Sequence, residues 1–456
     1  MKRRDFIKAS ALLAAAAGSG ELLKASTRPL TEMGPEADAF PDVWPAEEPD
    51  SERLIVSAPM LQNFADTSMG IVFAVRALAN GYVLIGEQPD LSDARKVLCG
   101  GYRVTDLDDR VVRVRVTGLR PSTKYYYRIG ADRISYEGGY RMKILGTEED
   151  PRTYFFTTAG EKTDAHFCVI NDTHVRWEPF SRAIDKIAAL APACVIWNGD
   201  ASNVEETVEA QVRIFLTPAI DRKDYAACTP YLLCPGNHDT RGMANRHLER
   251  VWMFRQPEER QPRDWDLGRN FAVRLGDIAL IGLDTAEDKL DSNPLFAGLF
   301  TSGPYREAQT EWLRDALARD EIRSAPYLVA CCHIPLYDDI PTHNPGDVAP
   351  ADKDPKYSTD YAYWQRTCAT LWAPLLNAAG CQLVITAHQH RYRYFAPDPS
   401  RPWAQLIGGG PDLGSEDSGR FPTVIEGAVR NGRLEITVHN LATDTIQDRF
   451  SYPPRR

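Results

Sequence analysis

The chain has 456 residues, 43% of them hydrophobic, a size and apolar content that call for two or three folded domains and exclude a mainly disordered polypeptide. Its formal net charge of -10, with no basic stripe, excludes a general nucleic-acid binder, because gripping a phosphate backbone needs clustered Lys and Arg.

At the N-terminus, Arg3-Arg4-Asp5-Phe6-Ile7-Lys8 precedes an Ala/Leu-rich run at 9–17, and Gly and Ser follow. This order resembles a twin-arginine export signal, placed at 1–28. The resemblance implies the twin-arginine export machinery as a partner, and a periplasmic or extracellular location. The run is too short to cross a hydrocarbon core of about 30 Å, and no later segment approaches the roughly 20 apolar residues required, so no membrane span is expected. The stretch at 31–53, rich in Pro, Glu, Asp and Ala, has little to bury and reads as a linker, 29–52.

The nine cysteines form no CxxC pairs and fit neither a disulfide framework nor a cysteine-zinc module. Cys168, Cys194, Cys234, Cys331 and Cys332 lie in apolar runs and are expected as small core residues. Cys331 and Cys332 cannot pair with each other, since successive strand side chains point to opposite faces.

Between 54 and 158 the pattern is one of short alternating runs, such as Val111-Val112-Arg113-Val114-Arg115-Val116, set apart by turn residues, which predicts an all-β sandwich at 53–160. Within it, the turn at 118–123 runs into Lys124-Tyr125-Tyr126-Tyr127-Arg128-Ile129, which puts Tyr125, Tyr127 and Ile129 on one face. This segment resembles a fibronectin type III strand with its tyrosine corner. The region is also similar to the N-terminal domain of purple acid phosphatases, over about a quarter of the chain.

From 161 to 452 apolar strands alternate with helical periodicity, as in Phe167-Cys168-Val169-Ile170 followed by a helix through 183–190, which predicts a layered α/β domain. Asn431-Gly432 marks a closing hairpin. Five segments with metal-ligating side chains fall at strand ends, where ligand sites of α/β sheets assemble: Asp172-Thr173-His174, Gly199-Asp200, Gly236-Asn237-His238-Asp239, His333 and Ala387-His388-Gln389-His390. Each alone is a weak signal.

As an ordered set, these blocks resemble the signature of the calcineurin-like metallophosphoesterases over 165–439, which implies a four-layer αββα sandwich following the β domain. Gln309-Thr310-Glu311-Trp312-Leu313, on a helix predicted over 306–318, is similar to the helix that this family places before its solitary histidine; Trp312 and Leu313 are expected in the core. The resemblance implies two divalent ions, Fe, Mn or Zn. Asp172, His174 and His390 would hold one, Asn237, His333 and His388 the other, and Asp200 would bridge them. Two cations about 3.5–4 Å apart repel, so a shared carboxylate is the economical ligand between them.

The family's chemistry implies hydrolysis of a small phosphate monoester by attack of a metal-bound hydroxide. His238 would stabilise the phosphoryl transition state or protonate the leaving group, with Asp239 orienting its ring and keeping it cationic. Tyr337, Arg391, Arg393 and the Gly408-Gly409-Gly410 loop are candidates for substrate contact.

Two positions depart from the purple acid phosphatases. Asn203 stands where those enzymes carry the tyrosine that binds ferric iron, and His174 is an added imidazole, so no tyrosinate colour is expected. Ala387 replaces a common glycine, tolerable unless that residue needs positive φ. His343, in a Pro-rich loop, is expected to be exposed. Two rival readings are a phosphodiesterase on the same fold and a non-catalytic surface-binding protein; the intact His238 argues against the second.

Overall fold

The computed structural model describes residues 53–99, 109–254, 267–337, 355–414 and 419–455. The export signal, the linker and His343 lie outside the described residues.

The first strands are β1 (Met60–Gln62), β2 (Ser68–Ala74), β3 (Ala79–Gly86), β4 (Arg95–Leu98), β5 (Val111–Thr117), β6 (Lys124–Tyr136), β7 (Met142–Glu149) and β8 (Tyr154–Thr157). Strands and helices then alternate: β9 (His166–Ile170), α1 (Trp177–Leu190), β10 (Cys194–Asn198), α2 (Val208–Phe215), β11 (Tyr231–Cys234), β12 (Phe271–Leu275) and β13 (Ile278–Leu283). After these come α3 (Ser302–Ala318), α4 (Asp320–Arg323), β14 (Tyr327–Cys332), α5 (Pro355–Ala378), β15 (Leu383–Thr386), β16 (Arg393–Phe395) and β17 (Ala404–Ile407). The chain closes with β18 (Thr423–Arg430), β19 (Arg433–Asn440) and β20 (Thr445–Tyr452).

Two large sheets form the body of the molecule, one of nine strands in the order β20-β19-β18-β9-β10-β11-β1-β2-β5 and one of six, β12-β13-β14-β15-β17-β16. The near-continuous apolar runs of the central strands follow from burial on both faces. Phe167, Val169, Cys194 and Ile196 of one sheet share a core with Tyr327, Val329 and Cys331 of the other. Their neighbours Cys168, Ile170, Val195 and Trp197 pack outward against Phe180, Ile184 and Ile187 of α1. On the far side, Leu328, Ala330 and Cys332 meet Leu313 and Trp372 under α3 and α5. The layers are therefore helix, sheet, sheet, helix, as expected, and Trp312 and Leu313 are buried in the outer core. Cys331 and Cys332 face opposite layers.

The N-terminal strands are less separate than the expected boundary at 160 implied. Gln62 of β1 pairs in parallel with Tyr231 of β11, and β2 and β5 extend the same sheet antiparallel. The remaining strands form a five-stranded sheet packed on this extension, with Val83, Tyr127 and Ile129 in one core with Ile71, Phe73 and Val114. The sandwich exists, but one of its two sheets is the nine-stranded sheet itself, because the open edge of β11 has backbone groups that must be paired. The described residues form a single compact unit. At the start of β6 the Arg120 backbone N–H donates to Tyr125 Oη at 3.0 Å.

Asn431 and Gly432 close the β18–β19 hairpin with φ of 52° and 69°, the left-handed pair that a two-residue turn needs. No helix of the described residues is long and apolar enough to cross a membrane.

Candidate metal centre

Parallel register brings the motifs together. Trp197 lies opposite Ile170 and Asn198 opposite Cys234, so β9, β10 and β11 end nearly level. In the second sheet Cys331 lies opposite Ile385, which levels β14 with β15. The two ends are tied across the layers by Asn198, whose Nδ2 donates to the carbonyls of Cys332 and Ile385, each at 3.2 Å. Each ligand loop starts just beyond one of these ends.

Asp172, His174, Asp200 and His390 present ligand atoms that all lie within 4.8 Å of one another, and Asp200, His333 and His388 do the same. Asp200 belongs to both groups. Asn237 adjoins the second, its Oδ1 2.9 Å from His388 Nδ1. The seven residues named from the sequence thus meet at one place, with only His390 (31% side-chain exposure) and His388 (16%) reaching solvent to any degree. The loops pay for this convergence in backbone strain: Asp172, His174, Asp200, His388 and His390 all have positive φ, between 43° and 72°. Ala387 does not, so its replacement of glycine costs nothing there.

The tautomers fit cation binding. His333 Nδ1 donates to the Asn198 carbonyl at 2.9 Å and His174 Nδ1 to Asn203 Oδ1 at 2.7 Å, which leaves both Nε2 atoms as lone pairs turned toward the carboxylates. His174 Nε2 stands 2.9 Å from His390 Nε2, and His333 Nε2 stands 3.1 Å from Asp200 Oδ2. Among the described residues Asp172 Oδ1 and His333 Nε2 are buried without a hydrogen-bond partner, as atoms reserved for a metal ion would be. The donor set therefore fits two divalent ions.

Electrostatics agree. Burial would raise the Asp200 carboxyl, but His333, His238 and His174 outweigh it and hold it well below the usual carboxylate range. Burial would lower His333, yet the carboxylates of Asp200 and Asp172 raise it to about 10, so without a cation the site draws in a proton. His388 is pushed down to about 3, chiefly by burial, and is a neutral ligand.

Asp239 does not do what the motif led us to expect. Its buried carboxylate accepts from Ser202 N at 3.0 Å, Ser202 Oγ at 2.9 Å and Gly236 N at 2.9 Å, which fastens two ligand loops together. It makes no hydrogen bond to His238. Burial, with Arg241 and the neighbouring histidines adding to it, lowers His238 to about 3, so the ring is neutral rather than cationic.

Sequence reasoning missed the group that touches it: Arg241 Nη1 lies 3.1 Å from His238 Nε2. Arg241 is gripped in turn by Glu287, Nε to Oε2 at 2.9 Å and Nη2 to Oε1 at 2.8 Å. Asp288, next in the chain, lies 3.8 Å from His388 Nε2. Glu287 and Asp288 follow the end of β13, so the strand-end rule that located the ligands would have found them too.

The substrate candidates separate. Tyr337 is tied by backbone bonds to Gln405 and packed edge-on against Phe395, with Arg401 over its ring, which makes it structural. Arg393 lies over the Phe395 ring at 4.9 Å. Arg391 is exposed beside His390. The triple glycine lies behind the metal loops: a Cβ at Gly408 would overlap Asn171, one at Gly409 the Phe421 carbonyl, and one at Gly410 the His390 backbone.

A layered sandwich in which one carboxylate serves two ligand groups at the strand ends defines a metallophosphoesterase. The chain belongs to the calcineurin-like phosphoesterase family, whose model matches residues 165–392. Its fold is similar to the solved structure of PhoD, at 12% identity and a TM-score of 0.60, with 89% of this chain and 92% of that one covered. It is also similar to the purple acid phosphatase PPD1 from yellow lupin (Lupinus luteus) seeds, at 12% identity and a TM-score of 0.55, with coverage of 87% and 74%. No curated protein sequence matches the chain.

Proposed function

We propose that this phosphoesterase is an exported phosphatase that hydrolyses small phosphate monoesters with two divalent ions, iron, manganese or zinc. The observation that carries the reading is Asp200, one buried carboxylate common to two groups of ligand atoms. When bound, the ions supply Lewis acidity and acidify a water. Asp172, His174 and His390 would hold one ion, and Asn237, His333 and His388 would hold the other. Neutral imidazoles and an amide among few carboxylates keep the site attractive to an anionic ester. His238 offers the ester a hydrogen bond from beside the ligands, and Arg391, exposed next to His390 in the chain, meets a phosphate oxygen. With Asn203 in place of a tyrosine, the metal-loaded protein lacks the purple tyrosinate colour. Export rests on the twin-arginine resemblance alone.

The test is turnover of p-nitrophenyl phosphate against its bis ester after loading with each metal. Preference for the monoester supports the proposal, and preference for the bis ester makes the protein a phosphodiesterase. A folded, metal-loaded chain that cleaves neither is a binding protein.

A further inference from the structure

We infer that Arg241 is a positioning residue that sets the tautomer of His238, so that Nδ1–H and not Nε2 is the donor offered to the substrate; the inference rests on the phosphoesterase reading of the site.

A guanidinium carries only donors and never loses its charge in a protein. With Arg241 Nη1 at 3.1 Å, His238 Nε2 must be the acceptor, and the one proton of a neutral ring then sits on Nδ1. That atom is buried and has no hydrogen-bond partner among the described residues. A buried donor left unpaired costs free energy, so it marks a place where a ligand oxygen belongs. Its position suits one. The His238 ring stands edge-on to the His174 ring, centroids 4.9 Å apart, and the His238 backbone N–H donates to Asp200 Oδ1 at 2.9 Å. The donor is thus anchored to the carboxylate that both ligand groups share.

Arg241 cannot swing away. Its two bonds to Glu287 use the whole fork of a fully buried carboxylate, and the Glu287 carbonyl is itself held by Arg306 Nη2 at 2.7 Å. The ion pair also cancels the arginine's charge locally, which favours a part in orienting the ring over one in attracting substrate. With Asp239 committed to Ser202 and Gly236, no carboxylate among the described residues is hydrogen-bonded to the ring. His238 therefore keeps its proton through the reaction: it lends a hydrogen bond to negative charge on a phosphoryl oxygen, and the departing alkoxide takes its proton from water.

The tautomer is read without substrate. In the full-length, zinc-loaded chain labelled with 15N-histidine, the His238 ring signals, identified by their loss in His238→Asn, should show the Nδ1–H pattern and change in Arg241→Met. An Nε2–H pattern in the unsubstituted protein overturns the inference. Kinetics give a second measure. Asparagine places its amide nitrogen where Nδ1 was and glutamine where Nε2 was, so His238→Asn should stay within about tenfold of the parent kcat, while His238→Gln falls as far as His238→Ala, about 100-fold or more. Arg241→Met should lower kcat about tenfold at unchanged KM, and should change nothing further in the His238→Asn background, because an amide has no tautomer to set. An equal rise in KM in both backgrounds would mean that Arg241 clamps the phosphate itself, and the inference fails. Metal content and Tm, measured for each variant, separate these effects from loss of fold. If the parent chain cleaves no phosphoester, the phosphoesterase reading is what fails, and the ring spectrum still decides the tautomer.

Discussion

Asn203 Oδ1 lies 2.7 Å from His174 Nδ1, and Asn203 Nδ2 reaches back to the His174 carbonyl at 3.4 Å. Where the purple acid phosphatases place a ligand, this chain places the residue that aims one. The amide accepts the ring proton, so Nε2 is bare and directed at Asp172, Asp200 and His390. The two positions are linked in physical terms: the side chain of Asn203 supports the imidazole of His174. Asn203→Leu should therefore weaken binding at the first ligand group about 10–100-fold while the fold survives. Competition with a chelator measures this, and unchanged affinity would leave Asn203 without the role given to it.

The shared carboxylate makes a different prediction. Asp200→Asn should cost the protein both ions, because each ligand group loses its anionic member. His390→Asn, confined to the first group, should cost only one. Metal analysis of the two purified variants distinguishes them, and retention of one full equivalent by Asp200→Asn would argue against sharing.

Gly199 has φ of 81°, and a Cβ there would overlap the His333 ring. Gly199→Ala should destabilise the protein by about 1–3 kcal/mol from the backbone strain alone. It should also push His333 off the Asn198 carbonyl. Thermal unfolding of the metal-free protein reads the first effect and metal affinity the second; a variant with parent values in both would show that the loop has room to spare.

Away from the site, Glu426 is buried between His166 Nε2 and His439 Nε2, each 3.1 Å from one carboxylate oxygen. Those bonds from His166 and His439 hold its carboxyl far below its ordinary value of 4.5. A group whose folded value is depressed adds stability above the unfolded value and loses it as pH falls. The contribution is thus complete above about pH 4.5 and fades under stronger acid. Glu426→Gln should lower Tm at neutral pH and flatten the acid side of the Tm profile. A variant profile parallel to the parent's at every pH would exclude this linkage.

The N-terminal strands should prove inseparable from the catalytic body. A chain beginning at residue 161 exposes the edge of β11 and the apolar faces that β1, β2 and β5 cover. It should fail to unfold cooperatively and should be digested quickly by protease. A truncated chain that melts sharply would restore the expected boundary.

Much of this site was legible in the sequence because each ligand loop carries a local signal. An apolar run long enough for a strand, then a first Asp, Asn or His one to three residues later, can be read without knowing what lies opposite. The helix before His333 was legible for the same reason, and Trp312 and Leu313 packed where periodicity put them. The motif was misleading at Asp239. Adjacency in sequence offered it as a partner for His238, but a residue beside another on a tight turn projects elsewhere, and here the side chain found two backbone N–H groups and a hydroxyl first.

The sequence by itself determined that strands alternating with helices would bring the motif segments to one edge, which follows from local pattern, and the ordered resemblance of those segments to the family's blocks implied which seven side chains gather. Only the tertiary structure decided what touches His238, because Arg241 is aimed by a glutamate 46 residues away in the chain, and pairing across such a gap leaves no local trace. It also decided that β1, β2 and β5 complete the catalytic sheet. Hydrogen bonding between strands uses backbone groups that every residue carries, so no composition or periodicity could announce which edge would be filled.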